Sequence, residues 1–204
     1  MTTEFLVHIV DDDDAVRDAL LELLGSVGTK AVGFQSADEF LTNHKPNTAG
    51  CLVLDIRMPG MSGLELQKKL HEMDSMLPII FITGHADVPM AIEAMEYGAV
   101  EFIEKPFRDQ QLLDCINSAM KNARESYDRN IEKKQITERL NSLTEREKEA
   151  LELISDGYPN KVIADKMGIS QRTVENHRAN LLEKLKAKST AALIKLLLLA
   201  NSST

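Results

Sequence analysis

The sequence predicts an α/β chain: a five-stranded, doubly wound parallel sheet, then a small all-α domain of four helices containing a helix-turn-helix, the two joined by a helical linker. Three observations carry this expectation. Short runs rich in Val, Ile and Leu alternate with helix-period segments over the first 122 residues, the pattern of a parallel sheet covered on both faces. From Gln110 to Leu140 the helical pattern continues without a Pro or Gly. After residue 141 strand signals vanish.

Strands are expected near 5–10, 30–34, 51–55, 78–83 and 100–104, with helices near 14–27, 37–43, 63–72, 88–96 and 108–122. Asp13 or Asp14 suits the cap of the first helix. Pro59-Gly60-Met61-Ser62-Gly63 forms a tight loop into the third, and Gly98 ends the fourth. Along the linker, Leu113, Ile116, Met120, Tyr127 and Ile131 share one stripe between many charges; a solvated connector and a short coiled-coil contact both remain open. Thr144-Glu145-Arg146-Glu147 is a capping box opening a helix with Ala150, Leu151, Leu153 and Ile154 inward. Asn160 is placed as cap of a second helix, Gly168-Ile169-Ser170 as a short turn, Gln171 to Leu185 as a third helix, and Ser189 as the start of a fourth. Two short helices joined by a Gly-containing turn form a helix-turn-helix. The expected division is 1–122, a linker at 123–141, and 142–204.

At 204 residues, 43% hydrophobic and 27% charged, the chain has room for one large globular domain or two modest ones. No apolar run approaches the ~20 residues that span a bilayer. Met1-Thr2-Thr3-Glu4 lacks a secretory start, and Cys51 and Cys115 allow neither a disulfide framework nor a CxxC metal knuckle. A cytoplasmic location without membrane contact is expected. The net charge of −8 is unevenly spread. Residues 1–122 carry nine basic and twenty acidic side chains, net −11; residues 160–204 carry eight and three, net +5. The basic end is a candidate for nucleic acid.

Charged and polar residues close successive strands. Asp11 and Asp12 follow Phe5 to Val10, Asp55 closes Cys51 to Leu54, Thr83 closes Pro78 to Ile82, and Lys105, just before Pro106, closes Val100 to Glu104. In a parallel sheet these C-terminal strand ends converge at the edge where ligands bind. Clustered acids for a hard cation, a hydroxyl for an anion and a fixed ammonium make a phosphoryl-handling pocket. Singly, each residue is more often a helix start, a strand threonine, a surface lysine or core packing; their joint placement argues for a site.

Val7-His8-Ile9-Val10-Asp11-Asp12, Leu54-Asp55-Ile56-Arg57-Met58-Pro59-Gly60, Ile82-Thr83-Gly84 and Glu104-Lys105-Pro106-Phe107 resemble the receiver domain of two-component response regulators, whose fold is flavodoxin/CheY-like. Leu143-Thr144-Glu145-Arg146-Glu147 and Thr173-Val174-Glu175-Asn176-His177 look like the LuxR-type DNA-binding domain. Together they resemble a FixJ-type transcriptional response regulator. The resemblance implies that Asp55 accepts a phosphoryl group from a sensor histidine kinase. It implies Mg²⁺, with Mn²⁺ as the alternative, held by Asp12 directly, Asp11 through water, Asp55, and the Arg57 backbone carbonyl. Lys105 would pair with a phosphoryl oxygen, aimed by Pro106 (cis in the family). Thr83 is the switch hydroxyl and Phe102 the aromatic switch. Phosphorylation would shift the Val88 to Tyr97 and 100–104 surface towards a homodimer. This chemistry is regulatory, so a turnover enzyme is not expected.

The 171–185 helix is the recognition candidate, being second in its motif. Val174, Leu181, Leu182 and Leu185 fall at core spacing, leaving Glu175, Asn176, Arg178 and Ala179 on or near the exposed face. By resemblance Glu175, Asn176 and Ala179 face the groove of promoter DNA, and Arg178 beside them is a further DNA-binding candidate. Lys161, Arg172, Thr173 and Lys188 are backbone contacts, with RNA polymerase a further partner. Two other readings compete. Asp12-Asp13-Asp14-Ala15-Val16 superficially fits the nucleophile motif of haloacid-dehalogenase-type phosphatases, but residues 106–122 offer only the separated Asp109 and Asp114 for their second acidic pair. The C-terminal helices could instead bind protein or RNA.

Overall fold

The protein, as a computed structural model, is described over residues 4–44, 48–84 and 88–201; the expected domain ends at 1 and 204 lie outside them. Five βα units come first: β1 (Leu6–Val10), α1 (Asp14–Ser26), β2 (Ala31–Phe34), α2 (Ala37–Asn43), β3 (Gly50–Asp55), α3 (Gly63–Glu72), β4 (Ile79–Thr83), α4 (Val88–Glu96), β5 (Glu101–Glu104) and α5 (Asp109–Asn141). Then come α6 (Glu145–Ser155), α7 (Asn160–Met167), α8 (Gln171–Lys184) and α9 (Thr190–Asn201). The sheet order is β2-β1-β3-β4-β5, every pairing parallel. From β1 the chain runs outward to β2 and then crosses back to β3 on the other side of β1, so the strand order reverses there and the sheet edge opens a crevice between β1 and β3.

Strand parity builds two cores. Val7, Ile9, Cys51, Val53, Ile80, Ile82 and Ile103 pack with Leu20 and Leu24 of α1 and Leu112, Ile116 and Ala119 of α5. Val10, Leu52, Leu54, Ile79 and Phe81 pack on the other face with Phe40, Leu66, Leu70 and Ala94 of α2, α3 and α4. The central strands β1, β3 and β4 are therefore buried on both faces, which is why their sequences read as continuous apolar runs.

The chain divides into two compact units between Tyr127 and Asp128, inside the 33-residue α5. The connector is not simply solvated. In the first unit, Tyr127 meets Phe5 edge-on with ring centroids 5.5 Å apart, and the Arg124 guanidinium lies 4.8 Å over the same ring. Ile131, expected on the same stripe, is exposed, whereas Ile136 is buried.

In the second unit Thr144 and Glu147 form the expected capping box of α6. Asn160 is not the cap of α7. Pro159 holds that position without a side-chain bond, because its extended backbone already lets its carbonyl accept the first helical bonds, from Val162 and Ile163. Gly168 ends α7 in the left-handed conformation, φ 66°, and Ser170 caps α8. Leu143, Ala150, Ile154, Ile163, Val174, Leu181, Leu185 and Leu193 form one core.

Candidate functional site

The sheet edge gathers one ammonium and two buried carboxylates. Lys105 Nζ donates to Asp11 Oδ2 at 2.7 Å and to Asp55 Oδ1 at 2.9 Å, joining residues 94 and 50 positions away in sequence. Asp11 and Asp55 are almost wholly buried, and the Lys105 side chain is 22% exposed. The Arg57 N–H donates to Asp55 Oδ2 at 2.8 Å, and the Asp13 N–H to Asp11 Oδ1 at 3.0 Å. Asp13 is also the cap of α1, accepting from Ala15 and Val16, while Asp12 between them is exposed. The site packs closely from below. A Cβ on Gly63 would lie 2.3 Å from the Asp55 carbonyl oxygen, so only glycine lets α3 start here.

Thr83 is buried at the end of β4, one residue beyond Ile82, the register partner of Asp55. Its carbonyl accepts from the Lys105 N–H at 2.8 Å, and the Lys105–Pro106 peptide is cis. Phe102 on β5 is half-buried, its ring 6.4 Å from Phe81 and tilted by 45°. On α4, Ala94 faces inward and its carbonyl accepts from Gln67 Nε2 at 2.9 Å. The outward Val88, Ile92 and Met95 are about half exposed or more and line a shallow groove with Ala91.

Burial pushes the Asp55 carboxyl above its ordinary value, and the neighbouring Asp11 charge adds to this; Lys105 and the Arg57 N–H pull the other way without cancelling it. For Lys105, burial opposes the charge, but its bonds to Asp11 and Asp55 outweigh burial and hold its pKa above the usual lysine value. One ammonium therefore serves two buried carboxylates, an imbalance that a further cation would relieve. Among the described residues no three His, Cys, Asp or Glu side chains yet form a metal cluster. The oxygen-only donors at the edge, Asp11, Asp12, Asp55 and the Arg57 carbonyl, match the preference of Mg²⁺.

In the second unit, Lys161, Arg172, Glu175, Asn176, Ala179 and Lys188 are exposed. Thr173 is half-buried and tied to the α8 cap, its Oγ1 2.8 Å from Ser170 Oγ. Arg178 is half-buried, with Nη2 3.3 Å from the Tyr158 carbonyl and Nη1 3.5 Å from Thr190 Oγ1. The physical reason is that the α6–α7 loop and α9 offer acceptors beside this turn of α8. Sequence reasoning also missed Lys184. It bonds the buried Glu147 at 2.7 Å and, with the Thr144 N–H, holds that carboxyl down at about 2. The 37-residue separation left no local signal.

Comparison with known proteins resolves the family. Residues 7–117 match the model of the response regulator receiver domain, and residues 141–197 that of the bacterial regulatory proteins of the luxR family. The transcriptional regulatory protein FixJ of Azorhizobium caulinodans is 43% identical over 194 residues, covering 95% of this chain and 92% of that protein. The chain is a FixJ-type response regulator. TodT of Pseudomonas putida, a response regulator protein, is 42% identical over 93% of this chain and 84% of its own. The structure of the response regulator StyR superposes with a TM-score of 0.88 at 44% identity, covering 94% of this chain and 97% of that one. Full-length FixJ from B. japonicum, 40% identical, gives 0.59 with complete coverage of both chains. This FixJ-type regulator is thus a two-component transcriptional regulator: a receiver followed by a LuxR-type DNA-binding domain. Among the described residues no helix is long and apolar enough to cross a membrane.

Proposed function

We propose that Asp55 is the phosphoacceptor of a receiver at 1–122, linked through 123–141 to a DNA-binding domain at 142–204. The observation that carries this reading is Lys105 bridging Asp11 and Asp55 at the sheet edge. An Asp55 carboxylate oxygen attacks the phosphorus of a kinase phosphohistidine; a P–O bond forms as the P–N bond breaks, and the imidazole leaves with the bonding pair. Mg²⁺, or Mn²⁺, held by Asp11, Asp12, Asp55 and the Arg57 carbonyl, would neutralise charge on the transferring oxygens. Lys105 pairs with a phosphoryl oxygen, and the Thr83 hydroxyl donates to another.

The gain of charge and acceptor oxygens at Asp55 then biases Thr83, Phe102 and α4 towards a second arrangement. The bare apolar face of α4, with Val100 beside β5, meets its like in a homodimer. Glu175, Asn176 and Ala179 of α8 enter the major groove of promoter DNA, while Lys161, Arg172, Thr173 and Lys188 hold phosphates. Arg178 on the same helix is a further DNA contact, its guanidinium steadied by the Tyr158 carbonyl. The regulator acts in the cytoplasm with RNA polymerase, and its phosphoryl chemistry serves regulation without turnover. The test is labelling by acetyl phosphate with Mg²⁺: wild type is labelled and Asp55→Asn is not. Wild-type labelling of Asp55→Asn overturns the assignment.

A further inference from the structure

Arg17 of α1 makes a contact that neither the motif reading nor the proposed chemistry uses. Its side chain is 15% exposed. Nη1 donates to the Asp11 backbone carbonyl at 2.8 Å, and Nη2 pairs with the Asp14 carboxylate. The guanidinium thus grips the acidic turn at both ends, Asp11 where β1 stops and Asp14 where α1 starts. Its aliphatic stem runs over the backbone of β2 at Gly33. A Cβ there would sit 2.9 Å from Arg17 Cγ and 3.0 Å from Cδ, so the missing side chain is the channel through which Arg17 reaches the turn. A planar fork spans two acceptors in fixed geometry, which the single ammonium of lysine does not reproduce.

We propose that Arg17 is a positioning residue for divalent-cation binding: by clamping the Asp11–Asp14 turn it holds the Asp11 and Asp12 carboxylates in the arrangement that takes up Mg²⁺. This rests on the reading that Asp11, Asp12 and Asp55 hold the cation. The sign of the effect separates positioning from plain electrostatics. Arg17 carries a positive charge beside a cation site, so deleting that charge alone strengthens Mg²⁺ binding. Deleting a clamp weakens it, and supporting contacts around metal ligands are worth ~10–100-fold in affinity.

The experiment is calorimetric titration of the full chain with Mg²⁺, paired with the Mg²⁺ dependence of acetyl phosphate labelling. Arg17→Gln should raise the Mg²⁺ Kd by ~10-fold or more. Arg17→Lys should fall between it and wild type, and the maximal labelling rate should return once Mg²⁺ exceeds the new Kd. Gly33→Ala keeps the guanidinium but displaces its stem, so its Kd should rise in the same direction by less; it carries the test if Arg17→Gln does not fold. An unchanged or tighter Kd in the folded variants overturns the proposal while the site assignment stands, and so does a rate that saturating Mg²⁺ does not restore. Absence of Mg²⁺ binding by the wild type overturns both.

Discussion

Each unit of this regulator contains a lysine bonded to a buried carboxylate, and the two are built for opposite ends. In the receiver, Lys105 is shared between Asp11 and Asp55, and the Asp55 carboxyl stays above its ordinary value because burial and a like charge outweigh one ammonium. In the DNA-binding unit, Glu147 has a lysine to itself and also accepts from the Thr144 N–H and hydroxyl, so its carboxyl falls to about 2. The first arrangement is under-satisfied and invites another cation or a change in covalent state. The second is fully paired and fastens α6 to α8. Residual electrostatic imbalance marks the site; saturation marks the staple.

The largest test of this contrast is acid. Burial, with His44 nearby, pushes the His8 imidazole down to about 4, below the 6.5 of a free histidine. The unfolded chain therefore takes the proton first, and the receiver loses stability as pH falls from 6.5 towards 4, by up to about 3 kcal/mol. Asp55 works the other way over the carboxylate range, since its raised value favours the protonated folded state. Glu147 contributes above about 4.5 and loses its contribution only as pH falls towards 2. Hydrogen exchange between pH 7 and 3 should show receiver amides losing protection before those of α6 and α8. His8→Leu, set among the rings of Phe34 and Phe40, should flatten the receiver's response. Simultaneous loss in both units contradicts the contrast.

Next in size, Glu147→Ala removes half of a capping box and the partner of Lys184. It should cost the DNA-binding unit about 1–2 kcal/mol, read as faster exchange of α6 amides. Asp55→Asn should act in the opposite direction. It removes a charge that burial disfavours, so the receiver should gain stability, read as a higher urea midpoint. A destabilised Asp55→Asn would make Asp55 a staple like Glu147. The smallest effect belongs to an exposed charge. Arg172→Ala should weaken binding to all DNA sequences alike and reduce the salt slope by about one, with the fold untouched, in mobility-shift titrations across ionic strength.

The alternation of strands with helices was legible because burial on both faces writes β1, β3 and β4 as short continuous apolar runs. The capping box at Thr144 was legible because its partners lie three residues apart. So was the convergence of Asp11, Asp55 and Lys105, since a parallel sheet brings its strand ends to one edge. Local spacing and strand parity thus sufficed for the architecture and for the meeting of Asp11, Asp55 and Lys105 at one edge. Contacts across long stretches of chain were settled only by packing. The sharing of one ammonium by two acids, the inward turn of Arg178 to Tyr158, the Lys184–Glu147 bond and the passage of Arg17 over Gly33 all join separate elements. No periodicity encodes such pairs, because which side chains meet depends on how whole helices and strands pack together, and the energy of a charge depends on what that packing leaves around it.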